Sequence, residues 1–173
     1  RFVGTPLSAE FPASNYPQLT LSNRRPVLAF DASTSETCYW TTVIPQGWTA
    51  PATAVISYAM ASATSGGVAF DVAVEALTSG DATDTDATTS FASVNTGTDA
   101  GVPGTAGYME QISVTLSNLD SAAAGDLVRF SLARATANAT RKRRIGRTTR
   151  PSASPSGSGS RRRTRRNTPR RAG

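Results

Sequence analysis

Few side chains in this sequence can do chemistry, and their spacing limits what that chemistry could be. Histidine is absent and Cys38 is the one cysteine. That inventory excludes a histidine-based metal site, a Ser/His/Asp triad, a cysteine protease with its imidazole base, and a disulfide within the chain. Cys38, beside Tyr39 and Trp40, reads as a buried free thiol, with a redox or intersubunit role as the alternative. Asp71 and Glu75 lie four apart in a segment of period two, so they share a strand face about 13 Å apart at ~3.3 Å per residue. An inverting glycosidase pair sits roughly 6.5–9.5 Å apart, and these two are expected to be solvent-face charges. No catalytic residue is assigned, and the expectation is a protein that is not an enzyme.

Two further groups could bind rather than react. Asp81, Asp84 and Asp86 in GDATDTD are closely spaced oxygen ligands of the type calcium takes. They lack the D-x-[DN]-x-[DN]-G pattern with its late Glu. A solvated acidic loop is the favoured reading, and a calcium site completed by carbonyls or an acid from another loop is the alternative. Trp40 and Trp48 are the two tryptophans. Trp40 falls mid-strand and is expected in the core, whereas Trp48 follows Gly47 in a loop and is the candidate for stacking on a sugar ring. Asp31 and Glu36 could meet Arg24 or Arg25 across a loop, a surface pairing that proves little.

The net charge of +6 hides two opposite segments. Residues 1–140 carry all twelve acids and five bases, a net charge of −7, while residues 141–173 carry thirteen bases and no acid. Arg141, Lys142, Arg143 and Arg144 form one basic cluster; Arg161, Arg162, Arg163, Arg165 and Arg166 form another, across a Pro/Ser/Gly spacer. Arginine forks suit phosphate, but no aromatic interleaves with them. Salt-sensitive, sequence-indifferent contact with nucleic acid is expected, or contact with an acidic partner surface such as the −7 body. Ile145 is the tail's one large apolar residue, so isolated residues 141–173 cannot offset the roughly 1–2 kcal/mol per residue of backbone ordering. No apolar run reaches the roughly 18 residues of a membrane-spanning helix.

The elements that would position these residues read as strands. Residues 1–24 are loop-like, punctuated by Pro6, Pro12 and Pro17. Strand words follow at Pro26 to Phe30 and Thr37 to Ile44, the latter closed by Pro45-Gln46-Gly47. Residues 53–62 and 67–77 both alternate, with Val68, Phe70, Val72 and Val74 opposite Ala69, Asp71, Ala73 and Glu75. Joined by Ala63-Thr64-Ser65-Gly66-Gly67, they read as a hairpin. Phe91 to Val94 reads as a short edge strand and Gly97 to Gly107 as a loop. Residues 108–116 and 126–135 resume alternation, with one helical turn possible at 121–124 between them. Six or seven strands without a sustained 3.6-residue period predict an all-β antiparallel β-sandwich over residues 25–140. Residues 1–24 form an arm before it and residues 141–173 an Arg-rich tail after it. Val55 or Ile56, Val68, Phe70, Val72, Ile112, Val114, Val128 and Phe130 are the expected core. An immunoglobulin-like topology is the rival, without its cysteine pair.

The run RRPVLAFDASTSETCYWTTVIPQGW, then AVISYAMASATSGGVAFDVAVEAL and LDSAAAGDLVRFSLARA, resembles a small jelly-roll β-sandwich domain of tailed-bacteriophage proteins. The resemblance covers about residues 20–137. It implies a non-enzymatic structural component of a virion, of tail-fibre or capsid-decoration type. It further implies assembly into homo-oligomers and contact with other virion proteins. A carbohydrate-binding module of a fibre, using Trp48, is the alternative. After Ala137 the sequence departs from that family, which continues into a last apolar strand. Two readings fit the change: an out-of-frame GC-rich segment, or a natural basic arm.

Overall fold

The computed structural model describes residues 1–86 and 89–136. The arginine clusters from Arg141 onward lie outside the described residues. Among the described residues eight strands form: β1 (Gln18–Ser22), β2 (Arg25–Ala29), β3 (Thr37–Val43), β4 (Ala52–Ala59), β5 (Val68–Leu77), β6 (Asn95–Asp99), β7 (Met109–Leu116) and β8 (Leu127–Arg134). They make three antiparallel sheets, a hairpin β1-β2, a four-stranded sheet β3-β8-β5-β6 and a ribbon β4-β7. The expected all-β, antiparallel class is what the chain adopts.

The core forms where the ribbon crosses the larger sheet. Val68, Phe70, Val72 and Val74 of β5 meet Ile112, Val114 and Leu116 of β7, with Ile56 and Tyr58 of β4 packed against them. Period two puts each set on one face, so two layers are needed to cover them. Gly97 in β6 sits directly beneath β7, where a Cβ would fall 2.5 Å from a Val114 methyl and 2.7 Å from an Ile112 methyl. Val128 is buried and Phe130 half-buried, as their alternation predicts. Of the pair left open by the sequence, Val55 is 57% exposed and Ile56 is the half-buried one.

Several expectations are corrected. β4 and β5 do not pair; β4 bonds to β7, and β5 lies between β8 and β6. The Gly66-Gly67 connection carries the chain from one sheet to the other. Glycine is needed there because Gly66 has a φ of 90° and a Cβ on Gly67 would strike the Asp99 carbonyl at 2.6 Å. The edge strand begins at Asn95 rather than Phe91, so the predicted loop from Gly97 opens within β6. Residues 121–124 form turns and no helix. The loop-like reading of residues 1–24 misses β1, and the strand count among the described residues is eight.

Glu75 is the sharpest correction, because it is only 5% exposed. The outer face of the large sheet is covered by irregular segments that alternation cannot reveal. β6 pairs with β5 only as far as Val72; beyond it the Ala92 amide donates to the Val74 carbonyl at 2.9 Å. This brings the Ser90 amide onto the Glu75 carboxylate and stacks Phe91 on Tyr39 with 5.6 Å between ring centroids. Asp71, half-buried, accepts from the Thr96 hydroxyl.

Candidate functional site

The N-terminal thirty residues divide into a wrap and an arm. The wrap begins at a 3-10 turn, Pro6–Ser8, closed by reciprocal bonds between Thr5 and Ser8. Thr5 accepts from the Trp40 indole at 3.0 Å, Gly4 lies flat against that indole, and Phe2 stacks on Phe130. Trp40 is thus held within the protein, as its strand position predicts. Further along, Glu10 and Tyr39 exchange backbone bonds of 2.8 and 2.9 Å, and the Thr37 amide donates to Asn15. The wrap thereby covers part of the β3 edge, which would otherwise offer unpaired backbone groups.

The arm is the β1-β2 hairpin. Its two-residue turn is Asn23-Arg24, both with positive φ (46° and 67°), the geometry that matches the twist of a tight hairpin. Leu19 lies opposite Leu28, and Leu21 opposite Pro26. Directly opposed residues share a face, so one side of the arm is wholly apolar. Thr20 and Val27, with Gln18 and Ala29, form the other side. The apolar stripe starts in the body, where Pro17 is buried and Phe30 packs edge-on against Phe70. It then runs outward to Leu19, 48% exposed, and Leu21, 66% exposed. Arg24 and Arg25 stand at the tip, and neither makes an ion pair among the described residues.

At the base of the arm Asp31 and Glu36 organise the turn into β3. The Asp31 carboxylate accepts from the Ser33 hydroxyl and amide and the Thr34 amide, each at 2.7 Å. Those bonds lower its pKa from the ordinary value to about 2. Glu36 accepts the Asp31 amide at 2.6 Å. The expected pairing of these acids with Arg24 or Arg25 does not occur within one molecule, since Arg24 and Arg25 are at the far end of the hairpin.

The remaining predicted site residues do not converge. Asp81, Asp84 and Asp86 are exposed. Asp81 accepts the Thr78 amide and Asp84 the Asp86 amide, so these carboxylates serve their own loop. No three potential metal-ligating side chains gather among the described residues. Asp81 lines a surface groove of about 300 Å³ with Leu77, Gly125 and Leu127. A second groove, of about 370 Å³, runs past Asp99, Glu110 and Gln111. Neither groove is lined by Trp48, which is half-buried in the turn after Pro45.

Two further side chains have perturbed electrostatics, Cys38 and the half-buried Tyr58. Cys38 is fully buried, its Sγ 3.8 Å from the Leu132 carbonyl, and burial pushes its thiol up to about 12. It carries no thiolate at neutral pH and so no nucleophile. The Tyr58 hydroxyl donates to Asp99 at 2.6 Å and is raised above its ordinary pKa, first by burial and then by that carboxylate. On the outer sheet face Arg129 reaches Glu10 at 3.5 Å and lies over the Tyr39 ring at 4.3 Å. Sequence spacing missed this cluster, because Glu10 reaches it from the wrap. Of the arm, β2 was read as the strand from Pro26 and β1 was missed, although Leu19 and Leu21 alternate just before Asn23, a usual residue of tight hairpin turns. Among known proteins, no family model, no curated protein and no solved structure matches this chain.

Proposed function

We propose that the protein is a structural building block that works by packing against copies of itself, and that its setting is a bacteriophage virion. The observation that carries the assembly role is the arm: an apolar stripe continuous with the core, half-buried at Pro26 and Leu28, where β2 lies against the Pro6–Ser8 turn, and exposed at Leu19 and Leu21 of β1. A lone hairpin is at best marginally stable in water, so such an element gains most when a second surface covers it. The virion setting rests on the resemblance of residues 20–137 to tailed-phage sandwich domains. The strand order supports the jelly-roll part of that resemblance. β3-β8-β5-β6 opposed by β4-β7 is what remains when an eight-stranded jelly roll loses its fourth and fifth strands. Here the described residues of that stretch, 78–86 and 89–94, form no strand.

The carbohydrate-binding alternative rests on Trp48, which is half-buried outside both grooves, whereas Leu19 and Leu21 stand exposed on the arm, so assembly is the better-supported reading. Sedimentation velocity of the full chain over two decades of concentration tests it. A sedimentation coefficient that rises with concentration supports assembly; one that stays at the monomer value throughout defeats it. The virion setting is tested separately by probing purified phage particles with an antibody raised against the chain, and its absence from them would count against that setting.

A further inference from the structure

We propose that the β1-β2 arm stacks face to face, and antiparallel, on the same arm of a second copy of this chain. This names the partner and the contact for the assembly role above, and it rests on that role. The apolar face consists of Leu19, Leu21, Pro26 and Leu28, with no polar residue among them. Exposed large apolar side chains also concentrate around it: seven of the thirteen among the described residues fall within residues 1–21. The surface that most needs covering is therefore the N-terminal one.

Charge selects a second copy as the occupant. The tip carries Arg24, in the turn, and Arg25, paired with Ser22 on the side away from the leucines. The base carries Asp31 and Glu36, with Arg134 donating to the Asp31 carbonyl at 3.1 Å, so the base stays net acidic, and Asp31 lies six residues beyond Arg25. At ~3.3 Å per residue, tip and base are about 20 Å apart. When two arms stack antiparallel, each basic tip lies over the other's acidic base, and the apolar stripes meet between them. The contact is self-complementary and two-fold, so it closes on itself instead of propagating. The basic tail is a poor occupant, because its one large apolar residue, Ile145, cannot fill a four-residue stripe. A five-residue, two-stranded face about 17 Å long covers less than the roughly 1,200 Å² of a stable interface. The dimer is accordingly weak and fast-exchanging, and gains strength where many copies are held together.

The test is sedimentation velocity on full-length variants, each first checked for wild-type melting. Leu19→Ser with Leu21→Ser should raise the dimer Kd about tenfold or more. Arg24→Glu with Arg25→Glu makes the tip acidic. Ala32→Lys with Ser35→Lys, both at exposed positions, turns the base net basic while keeping the Asp31 and Glu36 carboxylate bonds. Each charge variant alone should associate more weakly than wild type, and an equimolar mixture should regain association, because every tip then faces an opposite base. That regain comes from two separately weakened chains, so loss of folding cannot mimic it. Self-association unchanged by the Leu19/Leu21 variant, or a mixture no stronger than either component, overturns the contact while leaving assembly standing. A wild-type chain that is monomeric at every concentration overturns both.

Discussion

Gly97→Ala is the perturbation that best separates packing from local propensity. In a strand, alanine is favoured over glycine by roughly 0.5–1 kcal/mol through backbone entropy alone, so propensity predicts a gain in stability. Packing predicts the reverse. The added Cβ would lie 2.5 Å from Val114 Cγ2 and 2.7 Å from Ile112 Cγ2, whereas carbon atoms rest at about 3.5–4.0 Å. Two methyls must therefore each retreat by about 1 Å, and they belong to side chains only 2% and 5% exposed, with no solvent to retreat into. Overpacking of that kind costs about 1–3 kcal/mol. For a body of this size the melting temperature should fall by about 4–12 °C. Gly101→Ala is the control: nothing lies within 4 Å of its added Cβ and its φ is not positive, so stability should hold or rise slightly. Adding Val114→Ala to Gly97→Ala should relieve the clash, giving a double mutant less destabilised than the sum of the singles. Calorimetric melts of the four proteins decide the matter. If Gly97→Ala melts at or above wild type, the ribbon does not press on β6 as described.

The other predictions concern single side chains. Cys38 should react with a thiol reagent only after denaturation, since it is fully buried and its thiol is pushed up to about 12; labelling of the native protein at the rate of a free thiol would refute this. Asp31, lowered to about 2 by Ser33 and Thr34, contributes stability that is present above its unfolded pKa and lost as pH falls through its folded one. The stability gap between wild type and Asp31→Asn should thus be constant above about pH 5 and narrow progressively as pH falls toward about 2; a gap unchanged between about pH 5 and about pH 2 would contradict the turn geometry. Glu75→Ala should destabilise by about 1–3 kcal/mol, because it removes the bond from the Ser90 amide to a buried carboxylate. A neutral effect in a denaturant titration would restore the solvent-face reading of Glu75.

Alternation made the strands legible and left their partners illegible. Ile112, Val114 and Leu116 fall on one register, and all three are buried; the same rule places Val68, Phe70, Val72, Val74 and Val128 in the core. A period of two says that a face is covered but not by what, so β4 and β5 read as a hairpin although they belong to different sheets. Glycines in their connection served a crossing between layers as well as they would have served a tight turn. Glu75 was misread for a related reason: its cover comes from residues 90–92, a segment with no period of its own. In the candidate site, Leu19, Leu21 and the Asn23-Arg24 turn were present as a signal, but the prolines at 6, 12 and 17 made the whole segment read as loop. The acidic loop at Asp81–Asp86 was correctly placed between strands, and its favoured reading as solvated matches its exposure.

Hydrogen exchange of the full chain at increasing protein concentration tests the central claim most directly. Amides of the arm, Gln18–Ala29, belong to an isolated two-stranded sheet, and those of β5 and β8 to the centre of the large one. The account predicts that exchange in the arm slows as concentration rises, while exchange in β5 and β8 is slow and independent of it. Arm exchange that stays the same at every concentration, with any concentration-dependent protection confined to other segments, would contradict the assignment of the arm as the assembly surface.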